Sequence, residues 1–179
     1  MSSSQLIDLI LGAEGLKQKR RRGWMIKAGI SDPESVADHS FATTVIGMIV
    51  GDVLGLNTER IMRMALFHDL AESITGDYLP GENPSKAHEE ELAMNDLLSK
   101  LPVKLKSDYM KIWDEFKRCE TKEAILVRQI DKLEMGLQAS LYVKSGIDPS
   151  ILEDFFLSVE NRLSEPLVRD LLREVRRQK

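Results

Sequence analysis

Apolar residues recur at helical spacing along almost the whole of this chain, and that pattern limits the fold to a bundle of helices. The first such stripe contains Leu6, Ile7, Ile10, Leu11 and Leu16, and comparable stripes follow to the C-terminal residues. We find no sustained alternation of apolar and polar residues and no Asn-Gly or Asp-Gly pair, which are the usual signals of strands and hairpins. The sequence therefore predicts an all-α fold with about six to eight helices.

Capping and helix-breaking residues divide the chain into separate helices. The first helix is expected to end at the basic residues before Gly23, and residues 24–33 are expected to form a loop. Asp32 is the expected N-cap of a second helix at residues 33–54. Further helices are predicted at residues 58–75, 85–100, 103–118, 121–144, 151–163 and 166–177, with a loop at residues 77–85.

The composition is that of a globular chain with an acidic balance. With 42% hydrophobic and 30% charged residues among 179, the chain can bury a sizeable core, and we expect one domain over residues 1–179. The net charge of −4 argues against a nucleic-acid partner. A single cysteine, Cys119, favours a reducing compartment, no apolar run reaches about 18 residues, and the N-terminal stretch contains Asp8. We therefore expect a cytoplasmic protein without a membrane partner.

Four potential metal ligands interrupt the apolar helical segments. They are His39 in VADHS, His68 and Asp69 in ALFHDLAES, and Asp131 in VRQIDKLE. Burying such groups is costly unless they have a partner, and a divalent cation is the simplest single partner for all four. Two imidazoles and two carboxylates without a thiolate suit Co²⁺, Mn²⁺, Zn²⁺, Fe²⁺, Ni²⁺ or Mg²⁺ with positions left open for water. Open positions indicate catalysis, because a metal lowers the pKa of bound water.

Two further acids follow the His-Asp pair. Glu72 lies three residues after Asp69 and four after His68, and therefore on the same helical face, while Asp77 begins the following loop. Either acid can hold an attacking water or protonate a leaving oxygen. Glu72 is equally compatible with a surface acid near a helix end.

Asp131, the basic run before Gly23 and Trp24 each allow a purely structural role as well. Asp131 has Arg128 and Lys132 beside it and can form an ordinary ion pair with either. The basic run is compatible with a solvated helix end, where cations complement the helix dipole. Trp24 can bind a ligand or simply fill the core.

The order of these motifs resembles a known enzyme superfamily. His39 and His68 are 29 residues apart, and Asp69 and Asp131 are 62 residues apart. Together with RRGW, DPESVADHS, ALFHDLAESITGD and IDKLE, this spacing resembles the HD-domain metal-dependent phosphohydrolases, in particular their 5′-deoxynucleotidase branch. The resemblance covers roughly residues 10–145. It implies an HD-domain helical bundle that removes phosphate from deoxyribonucleoside 5′-monophosphates.

The resemblance also implies roles for individual residues. The four ligands above would bind the metal, and Glu72 and Asp77 would assist the water and the leaving group. An arginine and a tryptophan would contact the nucleotide and help to select deoxyribose; Gly23 separates the two residue types here, so both arginines are candidates. A homodimer is also implied. The candidate substrate-binding residues are Arg21, Arg22, Trp24 and Lys86, the last of which is also compatible with a solvated lysine at a helix start.

Two different functions compete with this hypothesis. The first is that of an HD phosphohydrolase that acts on a triphosphate, a cyclic nucleotide or a signalling nucleotide. The second is that of a non-catalytic helical module that uses KQKRRRGW to bind RNA or an acidic partner. A pure binding module has no need for four buried polar groups that require an ion, so the sequence favours an enzyme.

Overall fold

Helices make up almost all of the architecture in the computed structural model, which describes residues 2–177. In chain order they are α1 (Ser3–Glu14), α2 (Arg22–Ala28), α3 (Val36–Val53), α4 (Thr58–Phe67), α5 (Glu72–Thr75), α6 (Lys86–Leu98), α7 (Val103–Arg118), α8 (Lys122–Lys144), α9 (Pro149–Glu160) and α10 (Pro166–Arg177), with a 3-10 turn at Gly15–Gln18. The predicted all-α class is confirmed, with slightly more helices than expected. Within the described range, β pairing is limited to an isolated bridge between Arg20 and Ser35.

The segment at residues 24–33, expected to be a loop, contains most of α2. This helix buries Trp24 and Ala28, which are four residues apart and therefore on one face. Gly29 ends the helix in the left-handed conformation, with φ of 67°, where glycine is favoured. A helix of seven residues with two buried positions has too few apolar repeats to be recognised from spacing alone.

Two further helix ends differ from the prediction. The N-cap of α3 is Ser35 and not Asp32, because Ser35 and Asp38 form a capping box in which each side chain accepts a hydrogen bond from the other residue's backbone N–H. The helix predicted at residues 58–75 is divided into α4 and α5 by a turn that follows Phe67. This turn determines the direction of the side chains that follow α4.

α8 is the central helix of the bundle and contacts α3, α4, α7, α9 and α10. A large apolar cluster surrounds it, including Ile130, Leu133 and Phe156, and a smaller cluster that includes Met94 and Trp113 lies between α6 and α7. Because neighbouring helices cover α8 on several sides, its polar residues also reach the interior. In residues 2–177, neither α8 nor any other helix has the length and apolar character needed to cross a membrane.

Candidate metal centre and adjoining pocket

The predicted ligands lie near one another where α3, α4 and α8 meet, and the donor atoms of His39, His68 and Asp69 lie within 4.8 Å of one another. His39 lies in the first turn of α3, His68 directly follows α4, and Asp131 lies near the middle of α8. All three are buried, and Asp69 is partly buried. Although His68 and Asp69 are adjacent in the chain, their side chains approach each other in the turn that follows α4.

The distances among His39, His68 and Asp69 fit a single shared cation, and Asp131 lies next to His39. His68 Nε2 lies 3.3 Å from His39 Nε2 and 3.0 Å from Asp69 Oδ2. His39 Nε2 lies 3.3 Å from Asp131 Oδ1 and 3.8 Å from Asp69 Oδ2. Ligand atoms about 2.0–2.2 Å from one ion stand roughly 3–3.5 Å from each other. The mixture of two imidazoles and two carboxylates suits a divalent cation that keeps positions open for water.

Each imidazole presents Nε2 to this centre, because its Nδ1 is hydrogen-bonded elsewhere. His68 Nδ1 lies 2.7 Å from the carbonyl oxygen of Ala65, which only accepts, so Nδ1 carries the proton. His39 Nδ1 lies 2.5 Å from Glu134 Oε2. Sequence reasoning missed Glu134, although its position three residues after Asp131 in IDKLE places both acids on one helical face.

Neighbouring positive charges keep the carboxylates of the centre ionised. Burial alone would raise the pKa of Asp69, but the two histidines and Arg21 hold this pKa well below its usual range. Burial acts in the same direction on Asp131, whose pKa is nevertheless lowered, first by Lys132 and then by the histidines. Lys132 Nζ lies 3.0 Å from Asp131 Oδ2, so the ion pair considered from the sequence coexists with the approach of Oδ1 to the centre.

Glu72 is a buried acid at the edge of the centre and not a surface residue. Its Oε1 accepts a hydrogen bond of 3.1 Å from Lys86 Nζ, whereas Oε2 has no hydrogen-bond partner within residues 2–177. Burial and the nearby charges of Asp69 and Asp77 raise the pKa of Glu72 to about 9, against the opposing effect of Lys86. The metal-free carboxyl group therefore holds a proton at neutral pH, as a general acid must.

The two adjacent arginines have different environments. Arg21 lines the pocket beside the centre, with Nη1 3.5 Å from Asp69 Oδ2. Arg22 lies outside the pocket lining and forms two hydrogen bonds, of 2.8 and 2.7 Å, with the carboxylate of Glu82. Its backbone N–H donates to Asp77 Oδ2 at 2.6 Å, so Asp77 holds the start of α2 against the 77–85 loop. Asp77 also lines the pocket.

Trp24 belongs both to the core and to the pocket wall. Its side chain is 1% exposed and stacks on Phe155 with the ring centroids 4.2 Å apart. The indole N–H donates to Glu34 Oε1 at 2.8 Å. The core role considered from the sequence is therefore present, and the same ring borders the pocket.

The pocket extends from the metal centre to α9 and has a volume of about 280 Å³. Its outer wall mixes apolar, hydroxyl and charged groups, which suits a ligand with a flat ring at the end distant from the centre. The sequence analysis did not identify this wall, because its residues come from separate segments that only the packing of α2, α8 and α9 brings together. The outer lining includes Lys27, Leu79, Met135, Asp154, Phe155, Ser158 and Arg162.

Comparisons with known proteins identify the family of this chain. The family model described as "HD domain" matches residues 13–170. The 5′-deoxynucleotidase HDDC2 of Danio rerio is 37% identical over 163 residues, 89% of this chain and 80% of that protein; the protein of the same name from Homo sapiens is 36% identical, with 89% and 79% covered. The crystal structure of the PH0347 protein from Pyrococcus horikoshii OT3 superposes with a TM-score of 0.79 at 35% identity, covering 97% of this chain and 99% of that one. The chain belongs to the HD domain family.

Proposed function

We propose that this chain is a metal-dependent 5′-deoxynucleotidase, which hydrolyses deoxyribonucleoside 5′-monophosphates to the deoxyribonucleoside and phosphate. The observation that carries the proposal is the group of donor atoms from His39, His68 and Asp69, which are 3.0–3.8 Å apart at the inner end of a pocket, with Asp131 Oδ1 3.3 Å from His39 Nε2. The relatives named 5′-deoxynucleotidase, which match most of the chain, support the choice of substrate class.

Membership of the HD domain family implies a divalent metal, and the donor atoms of His39, His68 and Asp69 fit one. We assign His39, His68, Asp69 and Asp131 as its ligands. When bound, a divalent cation neutralises phosphate oxygens and acidifies water. Its identity among Co²⁺, Mn²⁺, Zn²⁺, Fe²⁺, Ni²⁺ and Mg²⁺ is to be determined by elemental analysis of protein purified without chelator.

The remaining inner residues provide phosphate binding and proton transfer. Arg21, directed towards the centre, binds phosphate oxygens, and Lys86 adds a second positive charge. As the oxygen of the attacking water bonds to phosphorus and the bond from phosphorus to the 5′ oxygen breaks, Glu72 donates its proton to the 5′ oxygen, so that the deoxyribonucleoside leaves as an alcohol. A proton of the water then returns to Glu72, and phosphate is released. Asp77, whose Oδ2 is engaged by a backbone N–H, orients the attacking water through its second oxygen.

The outer pocket receives the nucleoside. Trp24 and Phe155 form a rigid stack beside it, so the sugar meets a wall that does not yield to an additional hydroxyl group. The base extends to the wall formed by α9, where Ser158 offers a hydroxyl group. This arrangement supports selection of deoxyribose at the inner wall and recognition of the base further out.

A nucleotide panel tests the proposal. The protein is stripped of metal, reloaded with Co²⁺ or Mn²⁺, and incubated with deoxy and ribo 5′-monophosphates, triphosphates and cyclic nucleotides, and released phosphate is measured. We expect release from deoxyribonucleoside 5′-monophosphates and much slower release from their ribo counterparts. Faster hydrolysis of a triphosphate or a cyclic nucleotide would favour a different HD phosphohydrolase activity, and no release from any monophosphate would refute the proposal.

We further propose a homodimer. Phe41, Ile49 and Val53 lie on one side of α3 and are 70%, 55% and 68% exposed in the single chain, and exposed apolar faces of this kind are common at interfaces between subunits. Light scattering coupled to size-exclusion chromatography measures the mass directly. A monomer at micromolar concentration would exclude this part of the proposal.

A cytoplasmic location is also proposed. It rests on the single cysteine, Cys119, which is a free thiol in a left-handed backbone conformation at the end of α7, and unpaired cysteines are usual in reducing compartments. Fractionation of cells that express the tagged protein tests this expectation, and recovery in a secreted fraction would contradict it.

A further inference from the structure

Glu134 is a buried acid whose role the proposed mechanism leaves unexplained. It lies on α8, one helical turn after Asp131, and its side chain is 4% exposed. Its Oε2 is 2.5 Å from His39 Nδ1, and His39 itself is fully buried. A buried carboxylate is costly unless it makes an essential interaction. For Glu134, the structure shows a hydrogen bond with the His39 imidazole.

The contact determines which nitrogen of His39 faces the metal centre. An ionised carboxylate only accepts hydrogen bonds, so the imidazole must carry its proton on Nδ1. The lone pair of a neutral ring then resides on Nε2, the atom that lies 3.3 Å from both His68 Nε2 and Asp131 Oδ1. In the opposite tautomer, Nε2 carries a proton and cannot bind a cation.

The two histidines of the centre differ in this respect. His68 Nδ1–H donates to a neutral acceptor, the carbonyl oxygen of Ala65, at 2.7 Å. His39 has a charged acceptor instead, and hydrogen bonds to charged groups are stronger than those between neutral groups. The backbone fixes one imidazole, while a side chain that can be substituted fixes the other.

The geometry argues against a second cation at this place. Ligand atoms of Glu34, His39 and Glu134 lie within 4.8 Å of one another. However, two ligands of one ion stand roughly 3–3.5 Å apart, whereas His39 Nδ1 and Glu134 Oε2 are separated by 2.5 Å, a hydrogen-bond distance. Glu34 is also already the acceptor for the Trp24 indole.

We infer that Glu134 is a positioning residue that fixes the Nδ1–H tautomer and the ring orientation of His39, and so sets the metal affinity of the centre. The inference rests on the proposed role of His39 as a ligand. Acids and carbonyl groups behind metal-binding histidines act in this way, and their loss typically weakens metal binding by about 10- to 100-fold.

The first test uses the unmodified protein. The full chain labelled with ¹⁵N-histidine is loaded with Zn²⁺, and the protonation of each imidazole nitrogen is read from its ¹⁵N chemical shifts and couplings. We expect His39 to bind Zn²⁺ through Nε2 and to carry a slowly exchanging proton on Nδ1. Binding through Nδ1, or an Nδ1 without a proton, would overturn the inference without any substitution.

The second test measures Co²⁺ affinity in two variants. Glu134→Gln keeps the shape of the side chain but removes its charge, and Glu134→Ala removes the contact. By calorimetric titration of the metal-free proteins, we expect the Kd for Co²⁺ to rise by about 10- to 100-fold, with a changed visible absorption spectrum of the bound ion. Wild-type Kd and spectrum in both folded variants would refute the inference.

Two controls separate this inference from the proposed metal centre. Glu115→Gln neutralises another buried glutamate, which is 8% exposed, pairs with Arg60 and lies on α7. It should lower thermal stability while leaving Co²⁺ affinity and spectrum unchanged. His39→Ala should abolish tight Co²⁺ binding. If the wild type fails to bind Co²⁺, the proposed metal centre is wrong. If the wild type binds Co²⁺ and the Glu134 variants bind it equally well, only the positioning role is wrong.

Discussion

Arg21 and Arg22 are adjacent in the chain, but their side chains contact different parts of the protein. Arg21 is the last residue before α2, and its guanidinium reaches Asp69, whereas Arg22 begins the helix and reaches Glu82 in the loop. The sequence could not separate them, since both precede Gly23 in the same basic run. Only the direction in which α2 begins makes one arginine part of the pocket.

Substitution of the two arginines tests this difference. Arg21→Gln should lower kcat/KM for a deoxyribonucleoside 5′-monophosphate by roughly 10- to 150-fold, because a hydrogen bond to a charged group is worth about 1.5–3 kcal/mol. Arg22→Gln is the matched control and should have a much smaller effect, since its side chain pairs with Glu82 at the surface. Steady-state kinetics measures both, and equal losses would contradict the assignment.

The protonated form of Glu72 gives a pH-dependence prediction. As a general acid it must hold its proton, so kcat/KM should fall as pH rises through its pKa, which is about 9 without metal and lower once a cation favours the carboxylate. Because the charge of Lys86 lowers this pKa, Lys86→Met should move the alkaline limb to higher pH. Identical limbs in pH–rate profiles of the two proteins would argue against Glu72 as the acid.

At the scale of elements, the sequence predicted the long helices better than the short ones. The bounds of α7 and α10 agree with the predicted residues 103–118 and 166–177, because each helix has a clear apolar stripe and a terminating signal. α2 was missed because it is short, and the break after α4 was missed because apolar spacing continues past it. His68 and Asp69 lie at that break, so the local backbone of the site is a feature that periodicity does not reveal.

The start of α3 can be tested through its cap. Ser35→Ala should lower the free energy of unfolding by about 1 kcal/mol, because Ser35 is buried and forms both hydrogen bonds of its capping box with Asp38. Ser2 forms the same kind of box on α1, which buries none of its residues, and so Ser2→Ala should cost less. Urea unfolding measures both values, and a larger loss in the Ser2 variant would be inconsistent with this explanation.

For the whole molecule, the sequence singled out His39, His68, Asp69 and Asp131 because such residues are unusual inside apolar helices, and their role as metal ligands stays a prediction. The sequence did not predict Glu134, although this residue lies in IDKLE, because its contact with His39 depends on how α3 packs against α8. Nor did it predict the wall formed by α9, whose residues belong to none of the motifs. Ser158 and Arg162, for example, are ordinary surface residues until α9 is placed against α2.

Metal and pH should act together on stability. Burial raises the pKa of Glu72 to about 9 and of Glu34 to about 7, and hydrogen bonds to Asp131 and Glu134 raise that of His39 to about 9 in spite of burial. The folded metal-free chain therefore holds protons that the unfolded chain releases at lower pH. Stability from these groups is complete below the unfolded pKa values and is lost as pH rises through the folded values.

Cation binding displaces protons, so its stabilising effect should increase over the same range. The increase in Tm caused by Mn²⁺ should be larger at about pH 8 than at about pH 6. Differential scanning calorimetry with Mn²⁺ or with chelator measures it, and His68→Ala should show no increase at either pH. An equal effect at both pH values would contradict the assigned ligands.

The central position of α8 should make its amide hydrogens exchange slowly with solvent. Asp131 and Glu134 lie on the helix that contacts five others, so their amide hydrogens should exchange with solvent only when the whole chain unfolds. Residues 77–85, on the opposite side of the pocket, are only partly buried and should exchange through small local openings. The proposed ligand Asp131 thus lies in the part of the protein expected to exchange most slowly, while residues 77–80, which line the same pocket, belong to a segment expected to exchange fast.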